Sequence, residues 1–299
     1  MTGNHIDILA RNLRKRNQYL EQNKIEAYRL YNVSDGQWPI AIDIYKDSAV
    51  IHVFDDLRGL NLKQLEEEIK KTVNVKWFFY KDRTKQGISL PGGLPKEVEI
   101  IEYGHKFHCN LSDYLDTGIF LDHRETRKWI EAQSKGKTVL NTFAYTGSFS
   151  VYAAAGGAAK TYSVDISKTY CDWIKKNLAL NGLPEVTNWV YKMDTLEFFT
   201  YAKRKGLKFD IIIIDPPTFS KNKGKDFSVQ KDHPKLVNAA LEVLAPGGFI
   251  LFSSNRKEFK LRQSALTKCR VTEKKDTYPF DFYGSFPHRC YIIKSPGGR

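Results

Sequence analysis

A chain of 299 residues with 41% hydrophobic side chains is long enough for one large domain with a sizeable core and a smaller second domain. Its formal charge of +13 and pI near 9.4 exceed what solubility requires and favour a polyanionic partner, whether RNA, DNA or an anionic membrane surface. No run approaches the roughly eighteen apolar residues of a spanning helix and the N-terminus lacks the apolar core of a signal peptide, so a cytoplasmic location without membrane insertion is expected.

From Ile8 to Lys24 the pattern is helical and dense in cations, with Arg11, Arg14, Lys15 and Arg16 close together. Strand-like runs follow at Tyr28 to Val33, Ile40 to Tyr45 and Ala49 to Phe54; the polar turn Lys46-Asp47-Ser48 joins the last two into a hairpin. A polar helix is expected over Leu62 to Thr72 and a strand over Val75 to Tyr80. Lys85 to Lys96, with Gly87, Pro91, Gly92, Gly93 and Pro95, reads as a loop. Val98 to Glu102 and Lys106 to Asn110 resume strand character on either side of a Gly104 turn. Residues 1–111 together read as a small basic α+β domain.

From Ser112 onward helical and strand-like segments alternate, the pattern of an α/β doubly wound sheet over residues 112–299. Thr138 to Phe143, Thr161 to Val164, Trp189 to Tyr191, Asp210 to Ile214, Phe249 to Ser253 and Cys290 to Ile293 are the expected strands. Ser167 is the expected N-cap, and Gly182 the expected C′ residue, of a helix through Trp173 and Leu178. Leu244-Ala245-Pro246-Gly247-Gly248 ends another helix and turns tightly into a strand. Cys109, Cys171, Cys269 and Cys290 lack CxxC spacing, so neither a metal site nor a disulfide framework is expected.

The run Phe209-Asp210-Ile211-Ile212-Ile213-Ile214 ends in Asp215-Pro216-Pro217-Thr218, followed by Phe219. An uninterrupted β-branched run reads as a buried parallel strand, and open α/β sheets bind ligands at the carboxyl ends of such strands. Two prolines lock φ and remove two amide donors, so the turn is stiff and offers carbonyl oxygens. That combination suits the edge of a planar base and points to methylation of a nucleic-acid base; a turn that merely ends a strand is the plain alternative.

The first strand of this domain runs through Asn141 and Phe143 into the tight turn Tyr145-Thr146-Gly147, then into the small-residue helix Val151 to Ala155. A helix N-terminus behind a glycine turn receives anions and suits a cofactor carboxylate. With one glycine the GxGxxG pyrophosphate pattern is missing, which disfavours a dinucleotide and leaves a nucleoside cofactor without phosphates. Asp165 closes the next strand, eighteen residues beyond Gly147, close to the spacing at which an acid reaches a ribose diol. Asp194 closes the third, as an acceptor for an adenine amino group or as a helix N-cap.

These segments, with Pro246-Gly247-Gly248, resemble the class I S-adenosylmethionine-dependent methyltransferases. The stretch from Asp113-Tyr114-Leu115-Asp116-Thr117-Gly118 through Ile119-Phe120-Leu121-Asp122-His123-Arg124 sharpens the match, together with Phe143 to Ser148 and Asp215 to Ser220. They resemble bacterial 23S ribosomal RNA methyltransferases, in particular the guanine-N7 half of the fused large-subunit enzymes. Arg11 to Lys15, Tyr28 to Tyr31 and Val229 to His233 extend the similarity into both domains. The resemblance implies a Rossmann-like mixed seven-stranded sheet whose antiparallel strand is Cys290 to Ile293. It implies S-adenosylmethionine as cofactor, with Phe120, Asp122 and Arg124 at its methionine end and Thr146 and Gly147 beneath it. Asn141, Phe143, Tyr145, Asp165, Asp194 and Asp215 complete the cofactor candidates. The implied substrate is 23S ribosomal RNA or a large-subunit precursor. This chain starts at the basic helix, so substrate capture is expected to rest on its own surface or on a separate RNA-binding or methyltransferase partner.

A cytosine-C5 reading needs a cysteine nucleophile, and neither the strand after Gly248 nor the Asp215 turn supplies one. Guanine N7 already carries an in-plane lone pair, so direct in-line transfer to a flipped-out base needs positioning rather than a general base. Asp215 and the Pro216 carbonyl are expected to hold the guanine edge while Phe219 stacks on its face. Guanine N2 and adenine N6 remain open. Lys221, Lys223 and Lys225 lie in a segment too polar and flexible for a core, and with Arg11, Arg14, Lys15 and Arg16 they are the expected phosphate contacts. Arg256, Lys257, Lys260 and Arg262 form a further basic run. The rivals are a non-catalytic ribosome-assembly factor, disfavoured by the intact acids, and a protein or small-molecule methyltransferase, which leaves the charge unexplained.

Overall fold

The structure, a computed structural model, describes residues 4–36, 38–57, 59–84, 87–89, 97–222, 225–285 and 287–296. The chain forms two compact units, Met1–Asp122 with Pro279–Ser285 and His123–Tyr278 with Phe286–Arg299. The return of Pro279–Ser285 to the first unit has no counterpart in the composition of that segment.

In the first unit α1 (Asn4–Gln22) precedes a five-stranded sheet ordered β1 (Ala27–Tyr31), β2 (Ile40–Tyr45), β3 (Ser48–Val53), β4 (Trp77–Asp82), β5 (Gly87–Ser89). Neighbours pair antiparallel except β3 with β4, and α2 (Leu62–Thr72) supplies the crossover that a parallel pair requires. Asn61 caps α2 by accepting from the Gln64 N–H at 3.2 Å. Leu9 and Leu20 of α1 and Leu65 and Ile69 of α2 share one core with Leu30, Ile42, Ile44 and Ile51 of the sheet. The hairpin β6 (Glu97–Glu102) and β7 (His105–Asn110) turns through Tyr103 and Gly104 at positive φ. The expected loop 85–96 lies outside the described residues except at Gly87–Ser89, which is the strand β5 rather than loop.

The chain beyond Asn110 is irregular but heavily tied within this unit. Lys81, fully buried, donates to the carbonyls of Ser112 and Tyr114. Arg83 pairs with Asp116 at 2.8 Å, and the Tyr45 hydroxyl meets Thr117 Oγ1 at 2.7 Å.

The second unit is a doubly wound sheet. Its elements are α3 (Arg124–Gln133), β8 (Thr138–Thr142), α4 (Ser148–Ala155), β9 (Lys160–Asp165), α5 (Lys168–Leu180), β10 (Asn188–Lys192), α6 (Thr195–Arg204) and β11 (Phe209–Ile214). There follow β12 (Phe219–Asn222), β13 (Lys225–Ser228), α7 (Val229–Val243), β14 (Leu244–Ser254), β15 (Arg270–Lys274) and β16 (Arg289–Lys294). The seven-stranded order is β10-β9-β8-β11-β14-β16-β15, parallel from β10 to β14, with β16 antiparallel to both neighbours. This is the mixed sheet the resemblance implied.

The isoleucine run of β11 is buried on both faces for a visible reason. Ile212 and Ile214 pack with Phe198, Phe199, Leu236 and Val237 from α6 and α7, whereas Ile211 and Ile213 pack with Ile130, Phe149 and Ala153 from α3 and α4. Ser167 caps α5 by accepting from the Tyr170 N–H at 3.3 Å, and Gly182 follows its end at φ +66°. Within β14, a β-carbon on Gly248 would meet the Asp210 carbonyl oxygen at 2.6 Å, so the two backbones approach as only glycine allows.

Candidate functional site

Register alone gathers two of the expected acids, Asp165 and Asp215. Thr142 pairs with Val164 on one side and with Ile214 on the other, and Ile214 pairs with Phe252. The next residue on each strand or its exit is therefore Phe143, Asp165, Asp215 and Ser253, side by side at the carboxyl edge. The chain leaves β8 toward β9 and β10 on one side and returns as β11 on the other, so this edge contains the switch point at which open α/β sheets take ligands.

The turn after β8 is unusually constrained. Phe143 and Tyr145 hold φ of +52° and +51°, values that non-glycine residues seldom adopt, and Gly147 follows at +80°. The Ala144 N–H reaches the Val164 carbonyl at 3.0 Å, Asn177 Nδ2 donates to the Thr146 carbonyl at 2.9 Å, and Asp165 Oδ2 accepts from the Tyr145 N–H at 2.9 Å. Asn141 lies behind the turn, donating to Ser150 Oγ at 3.0 Å and so tying β8 to α4. Gly147 begins α4 with no side chain capping the helix, which leaves its N-terminal N–H groups for an anion.

Asp165 Oδ1 accepts from the Ser167 N–H at 2.9 Å. Burial pushes its carboxyl up while the backbone N–H groups of Ser167, Tyr145 and Ile166 pull it back. These N–H groups orient the carboxylate at the strand end, where it remains an acceptor for a ribose hydroxyl. Asp194 caps α6 through Oδ1, accepting from Leu196 N–H at 2.8 Å and Glu197 N–H at 3.2 Å. The cap alternative is thus real, and Oδ2 is the oxygen left for an adenine amino group. An uncapped helix start, a glycine turn and two successive strand-end acids fit a nucleoside cofactor bearing a carboxylate.

Phe120 is exposed and Asp122 half-buried at the end of the first unit, while Arg124 is wholly buried at the first position of α3. Pro216 is buried, Pro217 exposed, and Phe219 is 65% exposed, so Phe219 is no core aromatic. The Arg256 guanidinium stands 5.7 Å from the Phe219 ring centroid, and Thr218 Oγ1 donates to Asn255 Oδ1 at 2.6 Å.

Asp215 is gripped at both oxygens. The Ser253 hydroxyl donates to Oδ1, and His123 Nε2 lies 3.5 Å from Oδ2. His123 stacks on His288 at 3.9 Å with the rings 8° from parallel. His123, His288 and Cys290 carry potential ligand atoms within 4.8 Å of one another. An imidazole binds a metal through a lone pair in its own plane, and stacked parallel rings direct theirs along separate planes, so this arrangement does not converge on one ion.

Two sequence expectations on the basic surface are corrected. Arg16 is 7% exposed, donates to the Leu30 carbonyl at 2.6 Å and lies 3.9 Å from Asp35; it holds α1 to β1 and is not a phosphate contact. Arg11, Arg14 and Lys15 are exposed. The segment read as flexible forms the hairpin of β12 and β13, with Lys221 paired to Asp226 and Asn222 to Lys225; Lys223 lies outside the described residues. Its return strand brings Phe227 to 6.1 Å from Phe143. Sequence reasoning missed Ser253 as a partner of Asp215, since only the strand order makes them neighbours, and left His123 without a role.

A family model described as S-adenosylmethionine-dependent methyltransferase matches residues 78–263. Ribosomal RNA large subunit methyltransferase K of Neisseria meningitidis is 35% identical over 96% of this chain and 85% of its own length. Ribosomal RNA large subunit methyltransferase K/L of Aliivibrio salmonicida is 37% identical over 95% of this chain, which spans only 43% of that longer protein. A methyltransferase solved in complex with SAH shares 31% identity and superimposes with a TM-score of 0.82, covering 97% of this chain and 80% of that one.

Proposed function

Because the chain belongs to the S-adenosylmethionine-dependent methyltransferase family, its cofactor is S-adenosylmethionine, and we propose that it methylates a base of 23S ribosomal RNA, guanine N7 first among the acceptor atoms. The names of the two large-subunit relatives and the charge of +13 support an RNA substrate. The observation that carries the base assignment is the Asp215 turn: a doubly held carboxylate at the switch-point edge, followed by a rigid Pro-Pro and an exposed aromatic ring.

The Asp215 carboxylate and the Pro216 carbonyl are both acceptors. Guanine has donors only at N1–H and the N2 amino group, so the turn would grip that edge and leave N7 on the opposite side of the base. Phe219 offers a stacking face, an interaction of about 1–3 kcal/mol per base. The base must leave its own stack to meet these groups, and the cost is least in single-stranded RNA. When bound, the cofactor supplies an electrophilic methyl group on a sulfonium. N7 loses no proton in accepting it, and the positive charge that grows on the ring is stabilised by Asp215. Gly147 and the start of α4 would take the cofactor carboxylate, Asp165 the ribose and Asp194 the adenine. The same two acceptors also match an exocyclic amino group, which favours guanine N2 or adenine N6 as the second reading.

Transfer from labelled S-adenosylmethionine to large-subunit RNA, naked and in ribosomal particles, followed by nucleoside mass spectrometry, tests both. N7-methylguanosine is expected with the wild type and at least about a hundredfold less with Asp215→Ala. A methyl on an exocyclic nitrogen selects the second reading; no transfer to any RNA despite cofactor binding removes RNA as the substrate.

A further inference from the structure

A carboxylate at a strand exit has a fixed backbone here, because Pro216 and Pro217 follow it, but its own χ2 is a broad torsion that nothing in the turn restricts. With a side chain 24% exposed, Asp215 would sample several orientations unless held. It is held twice, and by groups from outside its own strand. Ser253 lies on the neighbouring β14, one residue past the Ile214–Phe252 pair, and donates to Oδ1. His123 immediately precedes α3 and presents Nε2 to Oδ2 at 3.5 Å. The imidazole is itself clamped, stacked on His288 at 3.9 Å and met by the Phe149 ring at 5.6 Å and 64°.

We infer that Ser253 and His123 are positioning residues that fix the carboxylate of Asp215 in the orientation that meets the substrate base. An ionised carboxylate only accepts, so the Ser253 hydroxyl donates to Oδ1, while His123 Nε2 faces Oδ2 at 3.5 Å, an ion-pair distance beyond an ordinary hydrogen bond. The serine takes one lone pair of Oδ1 and the imidazole limits where Oδ2 can turn, so the directions of the remaining acceptor positions are set in advance. A group that must change orientation during reaction loses that advantage. The inference rests on the reading of Asp215 as the residue that contacts the base.

The test compares Ser253→Ala, His123→Leu and His123→Gln in the full-length protein, alone and combined with Asp215→Asn. Methyl transfer to large-subunit RNA gives kcat and KM, and calorimetry gives cofactor affinity. Ser253→Ala and His123→Leu should each lower kcat about ten- to hundredfold while cofactor affinity stays within about twofold. His123→Gln, which restores an N–H donor, should recover part of the loss. Beside Asp215→Asn the substitutions should add little, because the residues act through one carboxylate. Equal losses in that background, or losses confined to cofactor affinity, overturn the inference. If Asp215→Asn is itself without effect, it is the reading of Asp215 that fails.

A measurement independent of activity completes the test. Crystal structures of the wild type and both donor-deleted variants should show one orientation of the Asp215 carboxylate plane in the wild type and a turned or split carboxylate in the variants. A single unchanged orientation in those variants overturns the positioning role.

Discussion

Gly147 adopts φ +80°, and a β-carbon there would stand 2.8 Å from Ile174 Cγ2 of α5. Alanine would be strained by its backbone and blocked by a branched side chain packed in the core, so the start of α4 would have to shift. Overpacking of this kind costs about 1–3 kcal/mol. Gly147→Ala should therefore lower the melting temperature by a few degrees and weaken S-adenosylmethionine binding at least about tenfold, since a displaced helix N-terminus no longer meets its anion. Calorimetric titration checks this; unchanged affinity would separate the turn from the cofactor. Sequence alone marked this glycine correctly as a turn but erred at Arg16, and the reason is legible in hindsight. Leu9, Asn12, Arg16 and Leu20 recur at helical spacing and are all buried, whereas Arg11, Arg14 and Lys15 fall off that stripe. Cation density alone does not say which face of a helix a cation occupies.

Between strands of the first unit the buried charges form a network that reports on pH. Arg29 of β1 holds Asp43 of β2 by two hydrogen bonds at 2.7 and 3.0 Å, and His52 Nε2 of β3 reaches the same carboxylate at 3.0 Å. Burial raises the Asp43 carboxyl, but the charge of Arg29 and the hydrogen bonds from Arg29 and His52 outweigh it and leave it well below the ordinary range. Burial pushes the His52 imidazole down more than Asp43 raises it. Arg83 agrees, since its Nε donates to His52 Nδ1 at 3.2 Å and a protonated ring could not accept. A histidine with a lowered folded value binds fewer protons folded than unfolded, so its contribution is complete above about pH 6.5 and declines as pH falls below that. Asp43, depressed when folded, keeps its contribution until far stronger acid. Hydrogen exchange of the β2 and β3 amides should accordingly show opening energies falling between about pH 7 and 5 in the wild type, with the decline flattened in His52→Gln. Parallel profiles in the two proteins would assign the effect elsewhere. The same contrast between pattern and partner governs what could be read beforehand. β11 and β16 are apolar enough to announce themselves, and Asp165, Asp194 and Asp215 stand where strand-like runs end. β15, Arg-Val-Thr-Glu-Lys on the sheet's edge, has one apolar residue and owes its existence to pairing with β16. The β12–β13 hairpin likewise owes its form to pairing and to Phe227 meeting Phe143, neither of which a run of lysines predicts.

Over the whole molecule the surplus of 47 lysines and arginines over 34 acids sets a field that attracts phosphate but cannot by itself select a base. Buried pairs such as Arg29–Asp43 and the inward-facing Arg16 absorb part of the cationic total without lending anything to a ligand surface, so formal charge overstates the number of contacts. The distinction is measurable through counterion release. For single-stranded RNA the logarithm of affinity falls with the logarithm of salt by about 0.7 for each phosphate neutralised. If Lys221, Lys223 and Lys225 each neutralise one phosphate, replacing the three together with glutamine should reduce that slope by about 2 and weaken binding most at low salt, while leaving cofactor affinity unchanged. Replacing Arg16 serves as the control from the same charge total, because its guanidinium is committed to the Leu30 carbonyl and Asp35: the salt slope should stay as in the wild type. A slope that the triple variant leaves unchanged would move the RNA path off the hairpin, toward the exposed cations of α1 and the run from Arg256 to Arg262, where the same slope measurement would be repeated with Arg11, Arg14 and Lys15 replaced.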